Sequence, residues 1–265
     1  MKPAAFTYAR PTDWSDAVKL VAAGARPGAG TQSLGPLLNL RLAQPHMIAD
    51  LRHLPDYAGV TVTAGMVRIG AGTTHAAIED GAVPGRIGEI MAGVARGIAY
   101  RPVRNRGTIG GSLAHADPAA DWVAVLPALG ATVVALGPRG ERRIAAAVFV
   151  TGIFATALDA GELLRFIEVP VLPTEARWGH WKFCRKVGDF SKATACVLSL
   201  PDRLPRAVFA ALDGPPVVIE DAATLVKDPA PEAARIVDRI AGLAPWRRAI
   251  AETALRRAVE RMVAA

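Results

Sequence analysis

The longest run of the chain without a charged side chain is Trp122 to Pro138, 17 residues that include Pro127 and Gly130. A membrane-spanning helix needs about 20 apolar residues, and a proline and a glycine interrupt this run. The pattern predicts a buried helix over Asp121–Leu129 and a buried strand over Thr132–Leu136. Elements with no polar face must be enclosed by others, so the remaining chain has to build a core around them.

The composition supports such a core. The 265 residues are 51% hydrophobic and 21% charged, which excludes disordered, collagen-like and coiled-coil chains. The length suits one large domain or two modest ones. Two cysteines, Cys184 and Cys196, are too few for a four-thiolate zinc or iron–sulfur site and for a disulfide framework, which fits a reducing compartment. Met1 to Trp14 carries Lys2, Arg10 and Asp13 and no apolar run, so no signal peptide is read there. With no spanning segment, a cytoplasmic location is expected. The net charge of +7 comes from 31 basic and 24 acidic residues. The basic residues are spread from Arg10 to Arg261, and acids such as Glu232, Asp238, Glu252 and Glu260 interleave the Arg-rich tail. No aromatic-plus-basic stripe is present, so nucleic acid is not expected as a partner.

Thr12 or Asp13 caps a first helix that Gly24 stops. Leu34–Leu42 reads as a short helix and His46–Leu51 as a strand. Val60–Thr63 and Val67–Ala71 form a hairpin about Gly65. Thr73 or Thr74 caps a short helix to Asp80, and another helix spans Ile87–Ile98. Tyr100–Asp121 has no period and reads as a loop rich in Gly, Asn, His and Asp. Leu163–Val169 is a strand, and Pro170–Thr174 a linker. Strand-like runs follow at Trp178–Cys184, Thr194–Leu200, Ala207–Leu212 and Val217–Ile219, with helices from about Pro231. Read this way, an α/β domain to about residue 172 precedes a smaller α+β domain.

Two loops are built from small residues. Gly28-Ala29-Gly30-Thr31-Gln32-Ser33 lies between a strand and a helix, and Arg104–Ser112 packs glycines beside hydroxyl and amide donors. Such loops let backbone N–H groups approach a phosphate, and two of them could grip a pyrophosphate from both sides. The first loop also imitates a dinucleotide fingerprint, with Ser33 as the third small residue and Asp50 closing a strand 20 residues past Gly30. An NAD-binding Rossmann-type protein is therefore an alternative reading. His75 and His115 have no metal-spaced partner and read as structural, and no metal ligand set is assigned.

The motifs Ala29-Gly30-Thr31-Gln32-Ser33-Leu34, Ile69–His75, Val103–Asp121, Glu162-Leu163-Leu164 and Arg185–Phe190 together resemble the FAD-binding medium subunit of the molybdenum hydroxylases, the xanthine dehydrogenase and carbon monoxide dehydrogenase family. The Thr108–Asp121 block is the most specific. The resemblance implies an α+β fold: a two-subdomain PCMH-type FAD-binding domain over 1–172, then a smaller α+β C-terminal domain over 173–265, an antiparallel sheet with helices. It implies FAD contacts from Pro27, Gly28, Ala29, Gly30, Thr31, Gln32, Ser33 and Leu34 in one loop, and from Thr108, Ile109, Gly110, Gly111 and Ser112 in the other. Asp121 matches an acidic contact to a ribose or ribityl hydroxyl, and it could also cap the helix that follows. Ile98 and Leu164 match residues beside the isoalloxazine. Lys182 matches a cation near its polar edge, and Phe190 an aromatic that shields one ring face. Thr31 stands where the family has a second glycine, a place where φ > 0 would strain a threonine. Ser112 stands where the family has asparagine.

The implied function is oxidoreductase electron relay, with no catalytic acid or base in this chain. A large partner subunit would carry a molybdopterin-type molybdenum cofactor and a small one two [2Fe-2S] clusters, in a dimer of heterotrimers. A free-standing flavin oxidoreductase with its own substrate site is the second alternative.

Overall fold

In the structure, a computed structural model describing residues 2–63, 65–240 and 242–264, the chain opens with β1 (Thr7–Ala9), α1 (Trp14–Ala22), β2 (Arg26–Gly28), α2 (Leu34–Asn39) and β3 (Met47–Asp50). The three strands are parallel in the order β1-β3-β2. Asp13 caps α1 by accepting the Asp16 N–H at 2.8 Å. Gly24, at φ 95°, ends it in the left-handed conformation that glycine adopts without a Cβ clash. The β2–α2–β3 unit is the parallel crossover a dinucleotide fold begins with, but the sheet stops at three strands. Asp50 cannot serve as the ribose acceptor of that alternative. Its buried carboxylate takes two hydrogen bonds on each oxygen, from the Arg52 N–H and Nε on one and from Tyr8 Oη and Arg52 Nη2 on the other.

The next elements are β4 (Val60–Thr63), β5 (Met66–Gly70), α3 (His75–Glu79), α4 (Gly85–Arg96), α5 (Arg101–Arg104), α6 (Ile109–His115), α7 (Asp121–Ala128), β6 (Thr132–Gly137), β7 (Gly140–Ala145), α8 (Ala146–Phe149), β8 (Val150–Gly152), β9 (Ala155–Thr156) and β10 (Leu163–Pro170). A five-stranded sheet runs β4-β5-β10-β6-β7 with all neighbouring strands antiparallel. The first part of the chain is therefore α+β, and the α/β reading of its elements is corrected. The expected loop Tyr100–Asp121 contains α5 and α6, helices of four and seven residues, too short to display a helical period.

Every residue of α7 is buried. Trp122 Nε1 donates to His75 Nδ1 at 3.1 Å, which satisfies the indole in an apolar site. The far side of α7 meets the C-terminal sheet β11 (Arg177–Phe183), β12 (Ala193–Leu200), β13 (Arg203–Ala210) and β14 (Val217–Ile219), antiparallel in that order. Successive strand residues point to opposite faces. Cys196, Leu198, Val208 and Ala210 join the core that contains α7, while Ala195, Val197, Ala207 and Phe209 form a second core. Both faces of β12 and β13 are thus covered, which is why these strands read as nearly continuous apolar runs. The second core is closed by α9 (Ala223–Lys227), α10 (Pro229–Asp238) and α11 (Pro245–Ala264). The helices begin eight residues before Pro231, at Ala223. In α11, Ala251, Ala254, Leu255, Ala258, Val259 and Met262 recur on one face. The Arg-rich tail is tied down by near and distant partners: Arg247 to Asp213, Arg248 to Asp238, Arg257 to Glu260, and Arg261 to the His180 carbonyl. Among the described residues no helix is long and apolar enough to cross a membrane.

Burial holds His75 neutral and lowers its pKa to about 4. The unfolded chain takes up this proton near pH 6.5 and the folded chain only near pH 4, so stability falls as pH drops through that window. The loss from His75 reaches about 3 kcal/mol at the lower end. We expect the urea midpoint to fall between pH 7 and pH 5, and to fall less in His75→Gln. Equal pH dependence in the two proteins would contradict this account.

Candidate functional site

A cleft of about 680 Å³ lies where the two small-residue loops, the end of α4, the N-terminus of α7 and the edge of the C-terminal sheet meet. That volume is within the range of cofactor sites. Pro27, Ala29, Gly30, Thr31, Gln32, Ser33 and Leu34 line it from one loop, and Thr108, Gly110, Gly111 and Ser112 from the other. Ile98, Asp121, Leu164, Lys182 and Phe190 complete the set brought together from distant parts of the sequence. Two expected residues do not line it. Gly28 is buried at the end of β2 with Ile48 beside it, and the Ile109 side chain points into the core. Both serve packing beneath the loops.

The loops touch. A Cβ on Gly30 would lie 1.9 Å from the Arg106 carbonyl oxygen, so only glycine lets the first loop rest on the Arg106–Gly107 backbone. Gly110 plays the same part toward Ala71, where a Cβ would meet the Ala71 Cβ at 2.5 Å. The two loops differ in what they offer. In the second, Ile109 N–H donates to Thr73 O, Gly110 N–H to Ala71 O, Gly111 N–H to Thr108 Oγ1 and Ser112 N–H to Thr108 O. These amides are committed to the protein, so this loop contributes shape and hydroxyls. In the first, the N–H groups of Gly30 to Leu34 have no acceptor among the described residues. Five neighbouring free donors in a cleft constitute an anion cradle.

Thr31 adopts φ 57°. A β-branched residue in the left-handed region is strained, as the family's glycine at this place would lead one to expect.

Asp121 is the first residue of α7 and not its cap; the cap position is Ala120, and the Asp121 side chain makes no capping bond. Its buried Oδ2 accepts from Lys182 Nζ at 2.9 Å, and the same ammonium donates to Gly97 O at 2.8 Å. Asp121 Oδ1 is buried and has no hydrogen-bond partner. His180 Nε2 lies 3.8 Å from it, beyond hydrogen-bond reach, and burial lowers the His180 pKa to about 4. His180 Nε2 is likewise buried without a partner, so Oδ1 is enclosed beside it, while Asp121 as a residue lines the cleft. Phe190 stands 64% exposed at the cleft mouth. Its loop is anchored where Tyr100 Oη donates to Val187 O at 2.9 Å and the Tyr100 ring packs on Gly188.

The structure adds Arg26, His115, Asp117, Leu158 and Glu162 to the lining. His115 packs on Phe154 with ring centroids 5.0 Å apart. Glu162, His115 and Asp117 lie in motifs singled out in the sequence, whereas Arg26 and Leu158 carried no signal. The residues present fit FAD: a donor cradle for its phosphates, an acceptor for a hydroxyl, apolar walls at Ile98 and Leu164, and a cation at Lys182.

Replacing Thr31 by glycine removes the Cβ penalty at φ 57°, of order 1–2 kcal/mol, less the glycine entropy cost of about 0.5–1 kcal/mol. Thr31→Gly is expected to raise the urea midpoint and to tighten FAD binding by fluorescence titration. Weaker folding and weaker binding together would reject strain at this position.

The family described as "FAD binding domain in molybdopterin dehydrogenase" matches residues 4–172. The chain is 39% identical over 202 residues to the carbon monoxide dehydrogenase medium chain of Afipia carboxidovorans, covering 75% of this chain and 70% of that one. It is 38% identical over 205 residues to the nicotine 6-hydroxylase medium subunit of Paenarthrobacter nicotinovorans, covering 76% and 72%. Among solved structures it superposes on reconstituted CO dehydrogenase from Oligotropha carboxidovorans with a TM-score of 0.92 at 33% identity, and on quinoline 2-oxidoreductase from Pseudomonas putida 86 with 0.89 at 28%, each over 100% of this chain and 99% of the other. With its donor cradle, its paired loops and these likenesses, the chain belongs to the family of FAD-binding medium subunits of the molybdopterin dehydrogenases.

Proposed function

We propose that this chain is the flavin-carrying relay subunit of a molybdenum hydroxylase. It takes electrons from the [2Fe-2S] clusters of a small partner subunit, after a large subunit with a molybdenum cofactor has oxidised the substrate. It passes them to a terminal acceptor. Support comes from the named medium-chain relatives and from one structural observation, the run of unpartnered amides from Gly30 to Leu34 in a cleft that Asp121 also lines. Two cysteines leave this chain without the thiolates for such clusters, so they belong to partners. Bound FAD supplies the one- and two-electron chemistry, and the protein's residues bind, orient and tune it.

In this reading the amides of Gly30 to Leu34 hold the pyrophosphate, with Pro27 and Ala29 shaping that loop. Thr108, Gly110, Gly111 and Ser112 close it from the opposite side. The Asp121 carboxylate accepts from a ribose or ribityl hydroxyl. Ile98 and Leu164 pack beside the isoalloxazine, and Phe190 shields its exposed face. Lys182 places a positive charge near the ring and favours its reduced, anionic form. The FAD domain spans 1–172 and the C-terminal domain 173–265. The assembly is a dimer of heterotrimers in the cytoplasm.

The purified chain is expected to take up FAD, to show flavin absorbance and to contain no iron. In its native host it should co-purify with two partners. A chain that binds no FAD overturns the reading, and one that runs alone and turns over a substrate of its own supports the free-standing oxidoreductase instead. Replacing Lys182 by Gln removes the cation, so the midpoint potential of the bound flavin should move to more negative values. A shift of about 30 mV corresponds to about 1.4 kcal/mol for a two-electron couple. An unchanged potential would remove Lys182 from this role.

A further inference from the structure

We propose that Arg104, backed by Glu79, is a positioning residue for the cleft wall at Ile98 and Ala99. The proposal rests on the FAD reading above. Where α4 ends, three successive backbone carbonyls are each held by a cation. Gly97 O accepts from Lys182 Nζ, while Ile98 O and Ala99 O both accept from Arg104 Nη1, at 2.9 and 3.2 Å. Ala99 has φ 41°, a left-handed conformation that a residue other than glycine keeps only under constraint. Ile98 and Ala99 both line the cleft.

Arg104 is aimed by its partner. It is 8% exposed, and Glu79 takes its Nε at 2.7 Å and its Nη2 at 3.1 Å, a bidentate pair that fixes the guanidinium plane. With the fork held, Nη1 can point only one way, toward the two carbonyls. Glu79 also accepts from Arg101 Nη1 at 2.9 Å, and the Arg104 hydrogen bonds are the largest cause of a carboxyl pKa below the usual range. The carboxylate therefore stays charged and the clamp stays set. A lysine at 104 has a single nitrogen and cannot hold Glu79 and both carbonyls in this geometry.

A buried ion pair with only a structural role would change stability and leave the flavin's surroundings alone. A clamp on a strained wall makes a different prediction: relieving the strain at Ala99 should make the clamp less necessary. The test titrates the full-length chain with FAD, reading affinity and the position of the visible flavin band, for Arg104→Lys, Glu79→Gln and each combined with Ala99→Gly. We expect Arg104→Lys to bind FAD about tenfold more weakly, the effect of one lost charge-assisted hydrogen bond, with a displaced band. Ala99→Gly in that background should recover most of the affinity and the band. Glu79→Gln, which keeps the shape of the partner, carries the same test if Arg104→Lys does not fold. Wild-type affinity and an unmoved band in the single variants overturn the proposal, as does a double variant no better than the single. Failure of the wild-type chain to bind FAD is a separate result and overturns the functional reading itself.

Discussion

Helix α7 has no face for water, and the architecture follows from hiding it. Each large apolar side chain it buries, such as Trp122 or Leu126, contributes about 1.5–3 kcal/mol. That gain is available only when β12 and β13 cover one side while α6 and α8 cover another. The C-terminal sheet is therefore held against the N-terminal part by the same apolar surface that makes the core. Strand β11 comes with it, and Lys182 on β11 reaches Asp121 at the first turn of α7. The third wall of the cleft is a consequence of burying this helix.

Around that frame the cleft collects cost as well as contact. Thr31 and Ala99 are non-glycine residues held at positive φ, and both line it. Asp121 Oδ1 is buried without a partner, and the amides from Gly30 to Leu34 have no acceptor among the described residues. Strained backbone and unsatisfied polar groups each lower the stability of the free protein. Their concentration in one place is what a site arranged for a polar ligand looks like, because a ligand can supply the acceptors that the loop amides lack. The glycine contact between Gly30 and the Arg106–Gly107 backbone and the Arg104 clamp keep this arrangement from relaxing.

Much of this was legible in the sequence because it depends on local chemistry. The caps at Asp13 and Thr74, the stop at Gly24, the hairpin about Gly65 and the charge-free run all follow from short-range preferences. Both small-residue loops could be picked out for the same reason. The helices α5 and α6 were not legible, since four and seven residues hold too little of a period. The antiparallel sense of the five-stranded sheet was hidden as well: β5 and β10 are neighbours through pairings about a hundred residues apart, as Arg68 with Glu168 illustrates. Nor could composition distinguish the loop whose amides are free from the loop whose amides are spent on Ala71 and Thr73, because that depends on which backbone lies alongside.

By itself, the order of amino acids determined that a helix and a strand around Pro127 and Gly130 must be buried, that glycines and hydroxyls would line two tight loops, and that this chain lacks the cysteines for iron–sulfur clusters. These are properties of residue type and near-neighbour spacing. Only the tertiary structure decided that Gly28 and Ile109 pack beneath the cleft, that Asp50 is saturated by Tyr8 and Arg52, and that Asp121 meets Lys182 from 61 residues away. It alone brought Arg104 to the carbonyls of Ile98 and Ala99. Such contacts are set by how sheets and helices close on one another, and in a folded chain the partner of a charge is chosen by space and not by sequence distance.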